Sequence, residues 1–391
     1  MNINILNKEV QEFINFNLKS DITKLILKGS PFPNISIQEL AEQIESKKKC
    51  EKKLPTWFNT QSIYYPNKLN IEQTSSEITA KYKSELVSGN SLIDLTGGFG
   101  IDSYYFSKQV KKVTHCEINE GLSSIVKHNC QQLQNKNIEP KANNGIDFVL
   151  KQEKKYDWIY IDPSRRNDLK GKVFLLKECL PDVPKYLDKL FKISENILLK
   201  VSPILDIKSA LNELKYVKEI HIISVENEVK ELLFILKNGF NEEIQVKTIN
   251  INKSNEQLFQ FTYLKEYFTN FNLPKKYLFE PNSAILKSGG FNAVSDLLKI
   301  DKLQQHSHLY TSDTLLDFPG RSFEIKQIIP YNKKQLNKLI PSKKANITTR
   351  NFPETVTKIR SKTKLKEGGN QYLFFTTDIN LKHIVLICEK L

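Results

Sequence analysis

Residues 93–103 read Ile-Asp-Leu-Thr-Gly-Gly-Phe-Gly-Ile-Asp-Ser, and no other stretch constrains the chain as tightly. Leu92, Ile93 and Leu95 predict the end of a buried strand. Gly97, Gly98 and Gly100 predict a tight turn, and residues 101–109 a helix carrying Tyr104 and Tyr105 in its first turns. A strand that passes through glycines into a helix brings bare backbone N–H groups close to a ligand and aims a helix N-terminus at it. Asp94 carries a carboxylate into the same turn. That charge repels a diphosphate and favours an ammonium or a sulfonium. The glycine spacing also departs from the Gly-x-Gly-x-x-Gly of dinucleotide sites.

Around this turn the pattern alternates between strand and helix. Short strands are predicted at Val113–Cys116, before the Asn143-Asn144-Gly145 turn, at 157–162 and at 196–201. Helices are predicted at 120–134, 181–193 and 208–215. The runs 220–225 and 232–236 predict an antiparallel hairpin closing the sheet. Alternation of this kind specifies an α/β fold with a doubly wound sheet over 86–240, with ligands at the carboxyl ends of the strands. Residues 1–85 predict a helical region, with Ser36 and Glu39 as a capping box for a helix through Ile44. Beyond 240 the rhythm becomes α+β. Paired strands are expected at 244–251 and 257–263, a turn and short helix from Glu280, and a helix at 296–303. Pro319-Gly320 divides a module at 241–320 from one at 321–391.

At 391 residues the chain is long enough for two to three domains. No apolar run reaches the ~18 residues of a membrane helix. The first residues lack a signal-peptide pattern. Five cysteines, scattered singly, suggest neither a disulfide framework nor a metal site, and fit a reducing cytoplasm. The net charge of +14 is concentrated: residues 321–391 hold 15 lysines and arginines against 5 acids. A basic module of this kind suits a polyanion such as nucleic acid, or is a solvated face in a Lys-rich chain.

Several acids stand where chemistry is expected. Glu117, at the end of the second strand, suits the diol of a ribose. Asp147, with Asn144 before it, suits an adenine amine or a simple turn. Asp162-Pro163-Ser164-Arg165-Arg166 ends the fourth strand. Arg165 and Arg166 suit either a phosphate or a salt-bridged sheet edge. Near the C-terminus Arg350-Asn-Phe352-Pro, followed by Lys358 and Arg360, suits stacking and phosphate contacts with RNA, or a core phenylalanine beside a solvated helix.

The frame Asp94-x-Thr96-x-Gly98-x-Gly100 resembles motif I of class I S-adenosylmethionine (SAM) methyltransferases, with Thr96 in place of the first glycine. Asp162-Pro163-Ser164 resembles motif IV of amino-methyltransferases, with serine in place of the second proline. Pyrimidine C5 methylation is disfavoured, since no cysteine stands in Lys200-Val-Ser-Pro203. Together with Glu72–Lys83, Glu280–Lys287 and Ile347–Pro353, these stretches resemble bacterial class I SAM methyltransferases with a ferredoxin-like insert and a C-terminal THUMP-like domain. The resemblance implies a Rossmann-like core with SAM as cofactor. Asp94, Thr96, Gly97, Gly98, Gly100, Asp102, Glu117, Asn144 and Asp147 are then the candidates to hold SAM. Asp162, Pro163 and Ser164 would face the acceptor. Arg165, Arg166, Arg350, Phe352, Lys358 and Arg360 would contact an RNA substrate, tRNA or rRNA. A SAM-binding protein without turnover, or a methyltransferase for protein or small molecules, are the alternatives. The sequence does not set the oligomeric state.

Overall fold

The computed structural model describes residues 1–165 and 175–391. It comprises two compact units, residues 1–218 with 234–241, and residues 219–233 with 242–391. The first unit opens with six helices: α1 (Lys8–Phe16), α2 (Ile22–Lys28), α3 (Ile37–Lys53), α4 (Pro55–Asn59), α5 (Lys68–Gln73) and α6 (Glu77–Ser84). Asp21 caps α2, and Ser36 with Glu39 closes the capping box on α3; such caps contribute about 1 kcal/mol. The third helix runs well past Ile44, because Cys50 and Leu54 are buried on the same side. Leu40, Ile44, Trp57, Tyr65 and Ile71 form the core beneath these helices.

The sheet of this unit follows. Its elements are β1 (Gly89–Asp94), α7 (Ile101–Phe106), β2 (Val110–Glu117), α8 (Glu120–Gln132), β3 (Ile138–Ala142), α9 (Gly145–Leu150) and β4 (Trp158–Ile161). Then come a short antiparallel ladder of β5 (Ser164–Arg165) and β6 (Cys179–Leu180), α10 (Val183–Leu190), β7 (Asn196–Val201) and α11 (Ile207–Glu213). The strands are parallel in the order β7-β4-β1-β2-β3. Ile93, Ile159, Ile161, Leu198 and Leu199 are fully buried, as the apolar runs of a sheet covered on both faces require. The helix α7 ends at Phe106, earlier than expected, since β2 begins at Val110 and the turn needs the residues between.

The hairpin of β8 (Val217–Val225) and β9 (Glu228–Lys237) forms as expected, with Glu226 and Asn227 both at positive φ in its turn. It does not close the sheet. In the second unit β10 (Gln245–Ile251) pairs in parallel with β8, and β11 (Glu256–Thr262) antiparallel with β10. Ile220, Ile222 and Ile223 are buried, so β8 needs cover that an edge strand lacks.

The rest of this unit is β12 (Tyr277–Pro281), α12 (Ser283–Ser288), α13 (Phe291–Leu298), β13 (Asp301–Lys302), β14 (Tyr310–Ser312), β15 (Gly320–Pro330), α14 (Lys333–Leu339), β16 (Asn346–Arg350), α15 (Val356–Thr363), β17 (Gln371–Thr377) and β18 (His383–Lys390). Residues 296–303 are not the predicted helix. Lys299 takes a left-handed conformation that stops α13, and a short strand follows. Seven strands form one sheet, β13-β14-β12-β15-β18-β17-β16. Phe374 and Phe375 point to opposite faces of β17, one into the core with Leu278 and Phe323, the other into the core with Leu336 and Ile359.

Glu280 on β12 is 3% exposed and accepts from Arg321 Nε at 2.8 Å and Arg350 Nη2 at 2.9 Å. One buried carboxylate therefore links three strands. Glu280→Ala leaves two guanidinium groups without their acid. It is expected to lower the stability of the chain by about 2 kcal/mol, read as a lower urea midpoint.

Candidate active site

The carboxyl ends of β1, β2, β4 and β7 gather Asp94, Glu117, Asp162 and Lys200 at one end of the first unit's sheet. The turn after β1 is held by short contacts. Gly97 donates to Cys116 O at 2.8 Å. Any side chain at Gly97 would collide with the ring of His115, whose Nε2 would lie 2.2 Å from an added Cβ. Gly98 has φ +55°, the left-handed bend that favours glycine, and its N–H is directed at the Glu117 carboxylate. His115 is fully buried and its ring nitrogens have no hydrogen-bond partner among the described residues. Burial pushes its pKa down to about 4, so it packs as a neutral ring.

Thr96 explains its own departure from glycine. Its Oγ1 accepts from the backbone N–H of Asp162 at 2.7 Å. A glycine could not make this bond, which ties the turn after β1 to the loop after β4. The Asp162 carboxylate pairs through Oδ2 with Lys200. Its Oδ1 carries no hydrogen bond among the described residues, and the side chain is 33% exposed. Pro163 follows, half-buried, and Ser164 starts the ladder of β5 and β6, exposed. Arg166 lies outside the described residues, as does the Arg165 side chain.

Two further acids lie beneath the turn. Asp94 is 1% exposed and accepts from Thr96 N–H at 3.0 Å and Ser103 Oγ at 2.7 Å. Burial raises its pKa to about 7, against those two hydrogen bonds. Asp102 meets Lys83 Nζ at 3.2 Å and accepts from Ser75 Oγ at 2.8 Å and Tyr160 OH at 2.7 Å. Burial alone would raise its pKa. Lys83 and Lys200, with the Tyr160 and Ser75 bonds, hold it below the usual carboxylate value instead. Asp102 thus faces the protein interior, with Lys83 fully buried against it.

Glu117 is half-buried and accepts from Gly98 N–H at 2.9 Å and Asn119 N–H at 2.7 Å. Asn144 caps α9 by accepting from Asp147 N–H at 3.2 Å, which leaves the exposed Asp147 carboxylate in the first turn of that helix. The structure therefore brings Asp94, Thr96, Gly97, Gly98, Asp102, Glu117 and Asp162 together at the ends of neighbouring strands. Sequence reasoning missed Lys83, Tyr160 and Lys200. Lys83 is one lysine among many, and nothing local marks its burial.

In the second unit the candidate RNA contacts fare differently. Phe352 is half-buried and packs against the core from its rim. It sits edge-on to Tyr331, Phe375 and His383, because the loop after β16 folds over that apolar cluster. Arg350 is paired with Glu280. Arg360 donates to Leu365 O at 3.1 Å and Ala345 O at 3.2 Å, and pairs with Glu367. Lys358 is exposed with no ion pair among the described residues.

This fold and site define a SAM-type methyltransferase core. A THUMP domain-like family model matches residues 320–390, and a ferredoxin-like domain model residues 277–319. The chain is similar to a Porphyromonas gingivalis W83 protein whose crystal structure is described as that of a methyltransferase. The two share 30% identity and a TM-score of 0.87, over 99% of this chain and 98% of that one. The chain belongs to this family of SAM-dependent methyltransferases with a C-terminal THUMP-like domain. A tRNA m1G37 methyltransferase of M. jannaschii aligns at 18% identity over 43% of this chain and 51% of its own, TM-score 0.30. An rRNA methylase of Streptococcus thermophilus aligns at 14% identity over 42% and 98%, TM-score 0.30. Likeness at that level says nothing about the substrate of this chain. No curated protein sequence matches the chain.

The Asp94 shift has a definite sign. Its folded-state pKa lies above its unfolded value of 3.8, so between those values the folded chain binds the extra proton and loses stability as pH rises. Asp94→Asn removes this. The ligand-free variant is expected to gain stability relative to wild type from about pH 4 up to about pH 7, with the gap constant above, in urea melts across that range.

Proposed function

We propose that the protein methylates a base nitrogen of RNA, with the acceptor held by Asp162 and the methyl donor by the turn after β1. The observation that carries this reading is the Thr96–Asp162 bond, which ties the candidate donor turn to the backbone of the candidate acceptor acid. The residues present suit SAM. Gly98 gives the turn its left-handed bend beside Glu117, Glu117 suits the ribose diol, Asp147 suits the adenine amine, and Asp94 supplies negative charge for a cationic ligand. Bound there, SAM would supply an electrophilic methyl group on a sulfonium.

The chain's own residues do the rest. Lys200 fixes one carboxylate oxygen of Asp162, and Oδ1 is left to accept an N–H of the acceptor amine. A fixed acceptor orients the nitrogen lone pair for in-line transfer. The same oxygen takes the proton as the amine becomes alkylated. Pro163 holds the adjacent backbone carbonyl in place beside it. RNA is favoured over protein or a small molecule by the THUMP domain-like match over 320–390 and by the 15 cationic residues against 5 acids in 321–391.

Two outcomes test the reading. Calorimetry with SAM or its demethylated product should show binding that strengthens as pH rises toward about 7. Protons should be released on binding below that pH, since a cationic ligand favours ionised Asp94. Asp162→Ala should keep SAM affinity within about twofold and lower methyl transfer to RNA from a knockout strain by about 100-fold or more. Equal transfer by wild type and variant would remove Asp162 from the mechanism.

A further inference from the structure

The first unit carries a second cationic surface, set apart from the acids at the strand ends. A shallow groove of about 670 Å³ lies along β3, the strand that ends the sheet. Five lysines line it: Lys111 and Lys112 from β2, Lys127 from α8, Lys136 from the connection after α8, and Lys141 from β3. The acid among its lining residues is Glu139, which accepts from Lys112 at 2.7 Å and also pairs with Lys141. These bonds push its pKa down to about 2, so it stays ionised and cancels part of the charge of those two lysines alone. Lys111, Lys127 and Lys136 are exposed and have no ion pair among the described residues.

Lysines on an edge strand commonly discourage strand pairing. That accounts for Lys141 but not for Lys111, Lys127 or Lys136, which come from three other elements. The lining holds neither an arginine nor an aromatic side chain. Such a surface offers point charges without base stacking or bidentate readout, which suits a phosphate backbone rather than bases. Its position fits too. Lys141 pairs in register with Cys116, and the next pair is Ala142 with Glu117. The upper end of the groove thus lies one residue, about 3.3 Å along the strand, below the row that carries Glu117.

We propose that this groove holds the sugar–phosphate backbone of the RNA substrate as it enters the active site, a second contact surface besides the THUMP-like domain. The proposal rests on RNA being the substrate. The contact is independent of sequence, and it positions the strand rather than selecting it.

The test uses the full chain and the triple variant Lys111→Glu, Lys127→Glu, Lys136→Glu. All three side chains are exposed and lie outside the acid cluster, so SAM affinity and the urea midpoint are expected to stay at wild-type values. Binding to unmodified total tRNA and rRNA fragments is measured from about 50 to 200 mM salt, with poly-glutamate as a second probe. The slope of log K against log salt should fall by about 2, and affinity by about tenfold or more at 100 mM salt. Unchanged slope and affinity in the variant, with wild type binding RNA, overturn the groove and leave the RNA reading standing. Wild type that binds no RNA at any salt overturns both. Loss of poly-glutamate binding with RNA binding intact assigns the groove to an acidic protein and overturns the proposal.

Discussion

Three carboxylates meet at the end of one parallel sheet, and the cost of burying their charge is what the first unit must offset to fold. In a desolvated site like charges cannot all remain ionised without compensation. The chain answers differently for each. Asp102 is paired with a lysine that is itself fully buried, and two hydroxyls donate to its Oδ2. Asp162 keeps a partly exposed position and a lysine from the neighbouring strand. Asp94 has hydrogen bonds but no cation at contact distance among the described residues, and its pKa rises to about 7. Among the described residues, the acid left without a counterion is the one beside the glycine turn.

That arrangement gives the N-terminal helices a chemical role. Ser75 and Lys83 come from the entry and body of α6, yet both attach to Asp102 on α7. Glu77 on the same helix accepts from Tyr105 OH at 2.8 Å and from Thr56 N–H at 2.6 Å. The helical region is therefore built into the floor of the site rather than appended to it. In the second unit Glu280 does comparable work, joining stretches that stand 41 and 70 residues away in the chain.

Much of this was legible in the chain itself. The strand–turn–helix after Leu92 follows from glycines between an apolar run and a helical one. The Ser36–Glu39 box and the paired strands β10 and β11 follow from local pattern. Local pattern misled where a neighbour decided the outcome. Phe352 looks like a free ring among cations, but Tyr331 and Phe375, 21 and 23 residues away, pack edge-on against it and leave it half-buried. The helix expected over 296–303 stops at a left-handed Lys299, which no residue preference announces.

The sequence by itself determined the α/β alternation, the glycine turn with Asp94, and the acid–proline step at Asp162, because each depends on residues adjacent in the chain. Only the tertiary structure decided that Lys83 and Lys200 are the counterions, that Thr96 joins two loops 66 residues apart, and that five scattered lysines line one groove. Burial and charge pairing are properties of neighbours in space. A lysine's part in either is set by the fold around it, not by the residues beside it in sequence.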